Sequence, residues 1–286
     1  VIKKILNLFF NSPLFFIKRV FFEIRSFLMP LPKSGSYAKN GVVFNFDFSF
    51  SYKVKKMYYG NFQPIISETL RRYLRKGDTL IDVGANIGYF SFVGAGLVGR
   101  NGQVHSFEPV PEYFKRLNGF ASLNKDYNIK VNQMAVGSEN NNTKIFIKGG
   151  GDIGNNTFYP FLLEQEKYES SIDVPVIRLD DYIEKNKIAN IKVIKIDVEG
   201  FEFPALLGLE GYFKTCVKQN SYPIIICEIV PEVYSKQKYS LQNLLDYMAR
   251  FSYHPFDILN NNKRLDLGKT KNAGVFDIVF KNTKND

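Results

Sequence analysis

The chain has 286 residues, 45% of them hydrophobic, enough to bury the core of one large domain or of a domain with an extension. It has no Trp but 27 Phe and 17 Tyr, so the many Phe read as core filler rather than as a ligand code. The formal charge of +10 is uneven, with 14 Lys and Arg against 3 Asp and Glu in residues 1–76 and 24 against 25 in the rest; the basic part is apolar rather than polar, which argues against nucleic acid as its partner.

In chain order, residues 1–35 form a basic, apolar extension, VIKKILNLFFNSPLFFIKRVFFEIRSFLMPLPKSG. Its longest uncharged run, Ile5 to Ile17, has 13 residues, too few for a bilayer core that needs about 20. No A-x-A-like site follows the run, so cleavage as a signal peptide is not expected. Two arrangements stay open for this helical extension. Residues 1–32 lie on an anionic membrane surface through Lys3, Lys4, Lys18, Arg19 and Arg25, or they pack on the enzyme core or a partner subunit. Residues 36–76 read as a lead-in, with alternating residues from Gly41 to Tyr59 as the strands of a hairpin and helical spacing from Pro64 to Lys76.

From residue 77 to 286 strands and helices alternate. Seven strands are predicted at Thr79 to Val83, Gln103 to Phe107, Ile129 to Ala135, Val193 to Ile196, Ile224 to Ile229, Tyr253 to Leu259 and Val275 to Phe280. Helices are predicted at Tyr89 to Val98, Glu112 to Leu123 and Leu241 to Phe251. The fold class is α/β, a Rossmann-like, doubly wound, mostly parallel seven-stranded sheet whose ligand site lies beyond the carboxyl ends of the strands. The Asn140-Asn141-Asn142 run and Gly149-Gly150-Gly151 read as solvated turns. Cys216 and Cys227 are too far apart for a CxxC pair, and with His105 and His254 they make no zinc site. They read as reduced thiols of a cytoplasmic protein. Both histidines are expected to be structural.

Chemistry concentrates in three segments. IDVGANIGYF, residues 81–90, joins an apolar strand to a helix. Gly84 and Gly88 allow a sharp turn, Ala85 and Asn86 lie between them, and Asp82 ends the strand. Glu108 ends the next strand in HSFEPVP, 20 residues beyond Gly88, a placement suited to a carboxylate accepting the two hydroxyls of a ribose. The loop is not G-x-G-x-x-G, and Asn86 stands where a pyrophosphate would need close backbone approach. A ligand with a ribose and no phosphate therefore fits better than a dinucleotide, and S-adenosylmethionine is such a ligand. The third segment, VIKIDVEGFE at 193–202, groups Lys195, Asp197, Glu199 and Glu202 at the end of a buried strand, with Glu228 at the next strand end.

In these residues the chain resembles the FkbM family of methyltransferases, which carry IDVGANIGYF, FEPVPE, VPVIRLDDYI and IKIDVEGFE in this order and spacing. The resemblance covers roughly residues 60 to 280. It implies the class I methyltransferase fold and methyl transfer from S-adenosylmethionine to a hydroxyl, with a sugar, glycan or glycolipid as the expected acceptor. By the resemblance, Asp82, Gly84, Ala85, Asn86 and Gly88 form the cofactor loop and Glu108 holds the ribose. Met134 and Ala135 lie beside the adenine, and Asp197 and Glu199 lie near the methyl group. The segment from Tyr59 to Gln63 departs from the pattern, since many relatives carry an acidic residue before the position of Pro64.

The catalytic set is Asp197, Glu199 and Lys195. Asp197 or Glu199 takes the hydroxyl proton or orients the acceptor, and Lys195 biases their ionisation. No metal ligands are assigned; a divalent metal between Asp197 and Glu228 is a second arrangement. In the insertion from Gly149 to Ser171, Asn155, Asn156 and Thr157 are placed to hydrogen-bond a sugar with Tyr159 stacked on it, the other reading being a solvent loop. The contrasting function is a membrane-associated module that keeps the fold without catalysis. On the enzyme reading the protein is cytoplasmic and peripheral on the inner face of the membrane.

Overall fold

The structure is a computed structural model that describes residues 20, 33–60, 62–148, 154, 156–163, 168–236, 239–258, 263–265 and 274–282. Residues 1–32 of the N-terminal extension, apart from Val20, lie outside the described residues, and so does the expected membrane or packing role. Among the described residues no helix is long and apolar enough to cross a membrane.

The chain divides into two units, Val1–Tyr37 with Phe44–Pro64 and Ala38–Val43 with Ile65–Asp286. A hairpin joins β1 (Ser34–Lys39) to β2 (Val42–Asp47). Its tip is Asn40-Gly41, both at positive φ, the turn chemistry that matches the twist of paired strands. In the first unit every second residue, Phe44, Phe46 and Phe48, is buried. Tyr58 sets its ring edge-on to Phe46 and Phe48 at 5.5 and 5.2 Å. Tyr52–Tyr58, read as strand from its alternation, is a helix, α1, because Ser51 caps it by accepting the Lys53 N–H at 3.2 Å. In the second unit the hairpin tip is tied down by Tyr127, whose hydroxyl donates to Asn40 O at 2.8 Å.

After the hairpin and α1 come α2 (Pro64–Tyr73), β3 (Thr79–Val83), α3 (Tyr89–Val98), β4 (Gln103–Phe107), α4 (Pro111–Leu123), β5 (Asn128–Asn132), β6 (Ala135–Val136), β7 (Asn141–Lys148) and β8 (Tyr168–Ile177). After these come α5 (Leu179–Lys185), β9 (Ile191–Ile196), α6 (Glu202–Leu207), α7 (Glu210–Gln219), β10 (Ile224–Ile229), α8 (Pro231–Lys236), α9 (Leu241–Ala249), β11 (His254–Asp257) and β12 (Phe276–Lys281). All residues of β3 and β10 are buried, as continuous apolar strands covered on both faces must be.

Seven strands form one sheet in the order β11-β12-β10-β9-β3-β4-β5. Neighbours from β10 to β5 run parallel, and β12 is antiparallel to both β10 and β11. This is the expected Rossmann-like, doubly wound sheet. The chain moves outward from β3 through β4 to β5 and returns on the other side of β3 with β9. The carboxyl ends of β3 and β9 therefore flank the topological switch point, where such sheets place their ligands.

One sheet was not foreseen. The strand expected from Ile129 to Ala135 breaks after Asn132, and Ala135 pairs instead with Val176 in a three-stranded sheet, β6-β8-β7. Asn141 and Asn142, read as a turn, are its paired residues opposite Val176 and Pro175. Their backbone bonds to β8 outweigh the poor strand preference of Asn, as tertiary pairing commonly does.

Candidate functional site

β3 ends at Val83 and the chain turns at Gly84, whose φ of +76° lies in the left-handed region. A Cβ at Gly84 would collide with the backbone oxygen of Asp197, at the end of β9. Asp197 in turn donates its N–H to Val83 O at 3.1 Å. Glycine is thus what lets the two strand ends approach.

From Gly84 to Gly88 every backbone N–H is already donated. Gly84 and Ala85 donate to Phe107 O at 3.0 and 2.9 Å, and Gly88 donates to Ala85 O at 2.9 Å. Asn86 donates to Glu108 Oε2 at 2.8 Å and Ile87 to Asn86 Oδ1 at 2.7 Å. A phosphate cradle needs such amides open, so these five do not make one. Glu108, 5% exposed, accepts a second N–H, from Val110, on Oε1 at 2.9 Å. Burial pushes its carboxyl up to about 7, against the two amide bonds that favour the charged form. Each oxygen keeps one more lone-pair position, the number that two vicinal hydroxyls require. The arrangement fits a ribose better than a pyrophosphate.

Asp82 lies fully buried below the loop. Its Oδ2 accepts the Ser91 hydroxyl at 2.7 Å, and its Oδ1 is 3.6 Å from Lys195 Nζ. The same ammonium is 3.1 Å from Asp197 Oδ2, its side chain only 2% exposed, and it lies 5.0 Å from the centre of the Phe90 ring. Burial disfavours the Lys195 charge, but Asp197 and Asp82 outweigh that and hold its pKa above the ordinary lysine value. It is a buried cation that ties β3 to β9.

At the carboxyl ends of β9 and β10, Asp197, Glu199 and Glu228 each place a carboxylate oxygen within 4.8 Å of the other two. Glu199 reaches this position through a left-handed backbone, φ +52°. The turn is held from inside by Glu202, fully buried, whose Oε1 accepts the N–H groups of Val198 and Gly200 at 3.3 and 2.8 Å. Burial and then the neighbouring Asp197 and Glu199 push the Glu228 carboxyl well above its usual range.

Asp277 joins this acidic group although no motif marks it: β12 pairs it directly with Glu228. Burial and Asp197 raise its carboxyl to about 7. Only the antiparallel insertion of β12 between β10 and β11 brings it there.

Met134 and Ala135 follow the end of β5, Ala135 buried in the small sheet and Met134 half-buried against the core. The insertion is tied to the protein where it is described. Thr157 pairs its backbone with Phe146, and its hydroxyl donates to Glu199 O at 2.8 Å. Asn156 Oδ1 accepts the Lys148 N–H at 3.0 Å, and Tyr159 shares a hydroxyl hydrogen bond with Tyr239 at 3.0 Å. The side chains expected to contact a sugar are thus engaged in holding the acidic turn and the loop; Asn155 lies outside the described residues. His105 is buried between Tyr182 and Gln103, each at 3.0 Å, with its pKa lowered to about 4 by burial and then Lys130; it is structural, as expected.

The family model described as a methyltransferase FkbM domain matches residues 82–255. The chain is 30% identical over 155 residues to a protein-L-isoaspartate O-methyltransferase of Methanococcus aeolicus, covering 49% of this chain and 64% of that protein. It is also 30% identical over 172 residues to the 31-O-demethyl-FK506 methyltransferase FkbM of Streptomyces tacrolimicus, covering 48% and 61%. The chain therefore spans less than two thirds of the length of either curated relative. Among solved structures it is similar to a methyltransferase FkbM from Methylobacillus flagellatus, with a TM-score of 0.44 and 15% identity over 81% of this chain and 55% of that one.

Proposed function

The chain belongs to the FkbM family of methyltransferases, and from that premise we propose that it uses S-adenosylmethionine to methylate a hydroxyl oxygen on a sugar, glycan or glycolipid. The observation that carries the reading is the loop from Gly84 to Gly88, closed to phosphate by its own hydrogen bonds and joined to Glu108, which keeps acceptor capacity for two hydroxyls. Both curated relatives carry an oxygen acceptor in their names, which supports O-methylation.

In this reading Glu108 holds the ribose hydroxyls, and Gly84, Ala85, Asn86 and Gly88 shape the wall against which the nucleoside rests. Asp82 supports that wall from below through Ser91 and Lys195. Met134 and Ala135 border the adenine side. S-adenosylmethionine, when bound, supplies a methyl group already activated by its sulfonium, the C–S bond breaking as the acceptor oxygen forms the C–O bond. Asp197, fixed in one orientation by Lys195, takes the hydroxyl proton, and Glu199 orients the acceptor. The rings of Phe158 and Phe201, 4.3 Å apart, stand beside the acidic turn and support a sugar, whose ring has apolar faces between its hydroxyls.

Calorimetry of the purified chain should give heat of binding with S-adenosylmethionine and with its demethylated product. Label from the tritiated methyl group should then enter a glycan or glycolipid extract in the presence of the parent protein and not of Asp197→Asn. No heat with either nucleoside defeats the proposal. Binding without transfer to any extract would favour a non-catalytic module that retains the pocket.

A further inference from the structure

We propose that Asp197, Glu199 and Glu228 bind one divalent cation of the hard, oxygen-preferring kind, magnesium or manganese. Its catalytic part rests on the methyltransferase reading; the binding site itself does not.

The three carboxylate oxygens lie within 4.8 Å of one another. Oxygens that share a hard cation at about 2.1 Å from it sit roughly 3 to 4 Å apart, so small side-chain rotations close the site. A cluster of acids alone would not argue for an ion, but a separate observation does. Glu228 is 9% exposed, and its Oε2 is buried without a hydrogen-bond partner among the described residues. A buried carboxylate oxygen left unsatisfied is costly, and a cation in the cluster removes that cost.

The balance of charge points the same way. Glu228 feels Asp197, Glu199, Glu202 and Asp277, while the ammonium in this region, Lys195, is already engaged by Asp82 and Asp197. Asp197 meets Lys195 through Oδ2, leaving Oδ1 for a metal. Hard cations take carboxylate oxygens and lower the pKa of a hydroxyl bound to them. A cation here would stand beside the acceptor hydroxyl, so that its proton leaves more easily to the acidic turn. The sequence pairs Asp197 with Glu228 across adjacent strands; Glu199, turned inward by its left-handed backbone, supplies the third ligand.

The test is a titration of the full chain with manganese chloride, without nucleoside, following free Mn2+ by electron paramagnetic resonance. The expected result is about one ion per chain, with affinity weakened about tenfold or more in both Glu228→Gln and Glu199→Gln. Both variants should keep the parent's circular dichroism and its heat of binding with S-adenosylmethionine. Absence of stoichiometric binding by the parent, or unchanged affinity in a folded Glu199→Gln protein, overturns the site. Should Glu228→Gln fail to fold, Glu199→Gln decides. Methyl transfer abolished by chelation and restored by magnesium supports the catalytic part, and transfer indifferent to chelation removes it. Manganese binding without any nucleoside heat would leave the cation site standing and take down the methyltransferase reading.

Discussion

Lys195 shows how far single residues could be read. Its place in IKIDVEGFE announced a charged group at a buried strand end, but not which acids it would face. The structure sets it 3.6 Å from Asp82 and 3.1 Å from Asp197, where it pairs with both. Lys195→Met should leave the buried Asp82 and the partly buried Asp197 without their counter-ion and cost about 3–5 kcal/mol, the usual penalty for breaking a buried pair. Urea denaturation of the variant measures this, and a loss below about 1 kcal/mol would mean that the pair contributes little. Glu108 was legible only together with the loop ending at Gly88, 20 residues before it, since an acid before the Pro109 turn would on its own read as solvent-facing. What its own letters could not reveal is that it is also the partner of the Asn86 amide.

Among the elements, the strands at the centre of the main sheet were the most readable, because β3, β9 and β10 are short, mostly apolar segments between turn signals. β3, β4 and β10 fall on the predicted residues, and nearly every position in them is buried. The three-stranded sheet was not readable. β8 is largely exposed and β7 only partly buried, and each is apolar only in its second half, which leaves a weak strand signal beside Asn and Ser. That sheet carries Thr157, paired with Phe146, to the carbonyl of Glu199. Thr157→Val should strip this hydrogen bond from a buried site and destabilise the protein by about 1–3 kcal/mol, with a larger fall in kcat than in the affinity for the nucleoside as the acidic turn loosens. Steady-state kinetics beside thermal denaturation would show it; an unaltered kcat would separate the insertion from the chemistry.

At the scale of the whole molecule, buried acids dominate the dependence of stability on pH. Glu108, Glu202 and Asp277 have carboxyls raised to about 7, burial being the largest cause for each. In the unfolded chain such groups ionise near about 4. Between these values the folded protein holds more protons than the unfolded one, so stability falls as pH rises toward 7. His105, lowered to about 4, acts with the opposite sign below about 6.5, where the unfolded chain takes up a proton that the folded one refuses. His254, lowered by burial and then Arg264, acts in the same sense as His105, but the three acids, joined by Glu228, outnumber the two histidines. Tm from differential scanning calorimetry without added metal should therefore drop as pH is raised from roughly 5 to 7.5. A Tm that is flat or climbs over that window would contradict the burial assigned to these groups.

The sequence by itself determined the α/β class, the main strands and the loop and acidic turn that carry the family's motifs, because each depends on neighbours a few residues away. Tertiary structure alone decided the rest. It closed the loop amides against Glu108, placed Lys195 between two acids from different strands, and gathered Asp197, Glu199, Glu228 and Asp277 at one edge. The reason is physical: hydrogen bonds and charges act through space over a few ångströms, and which residues come that close is settled by the order and direction of the strands.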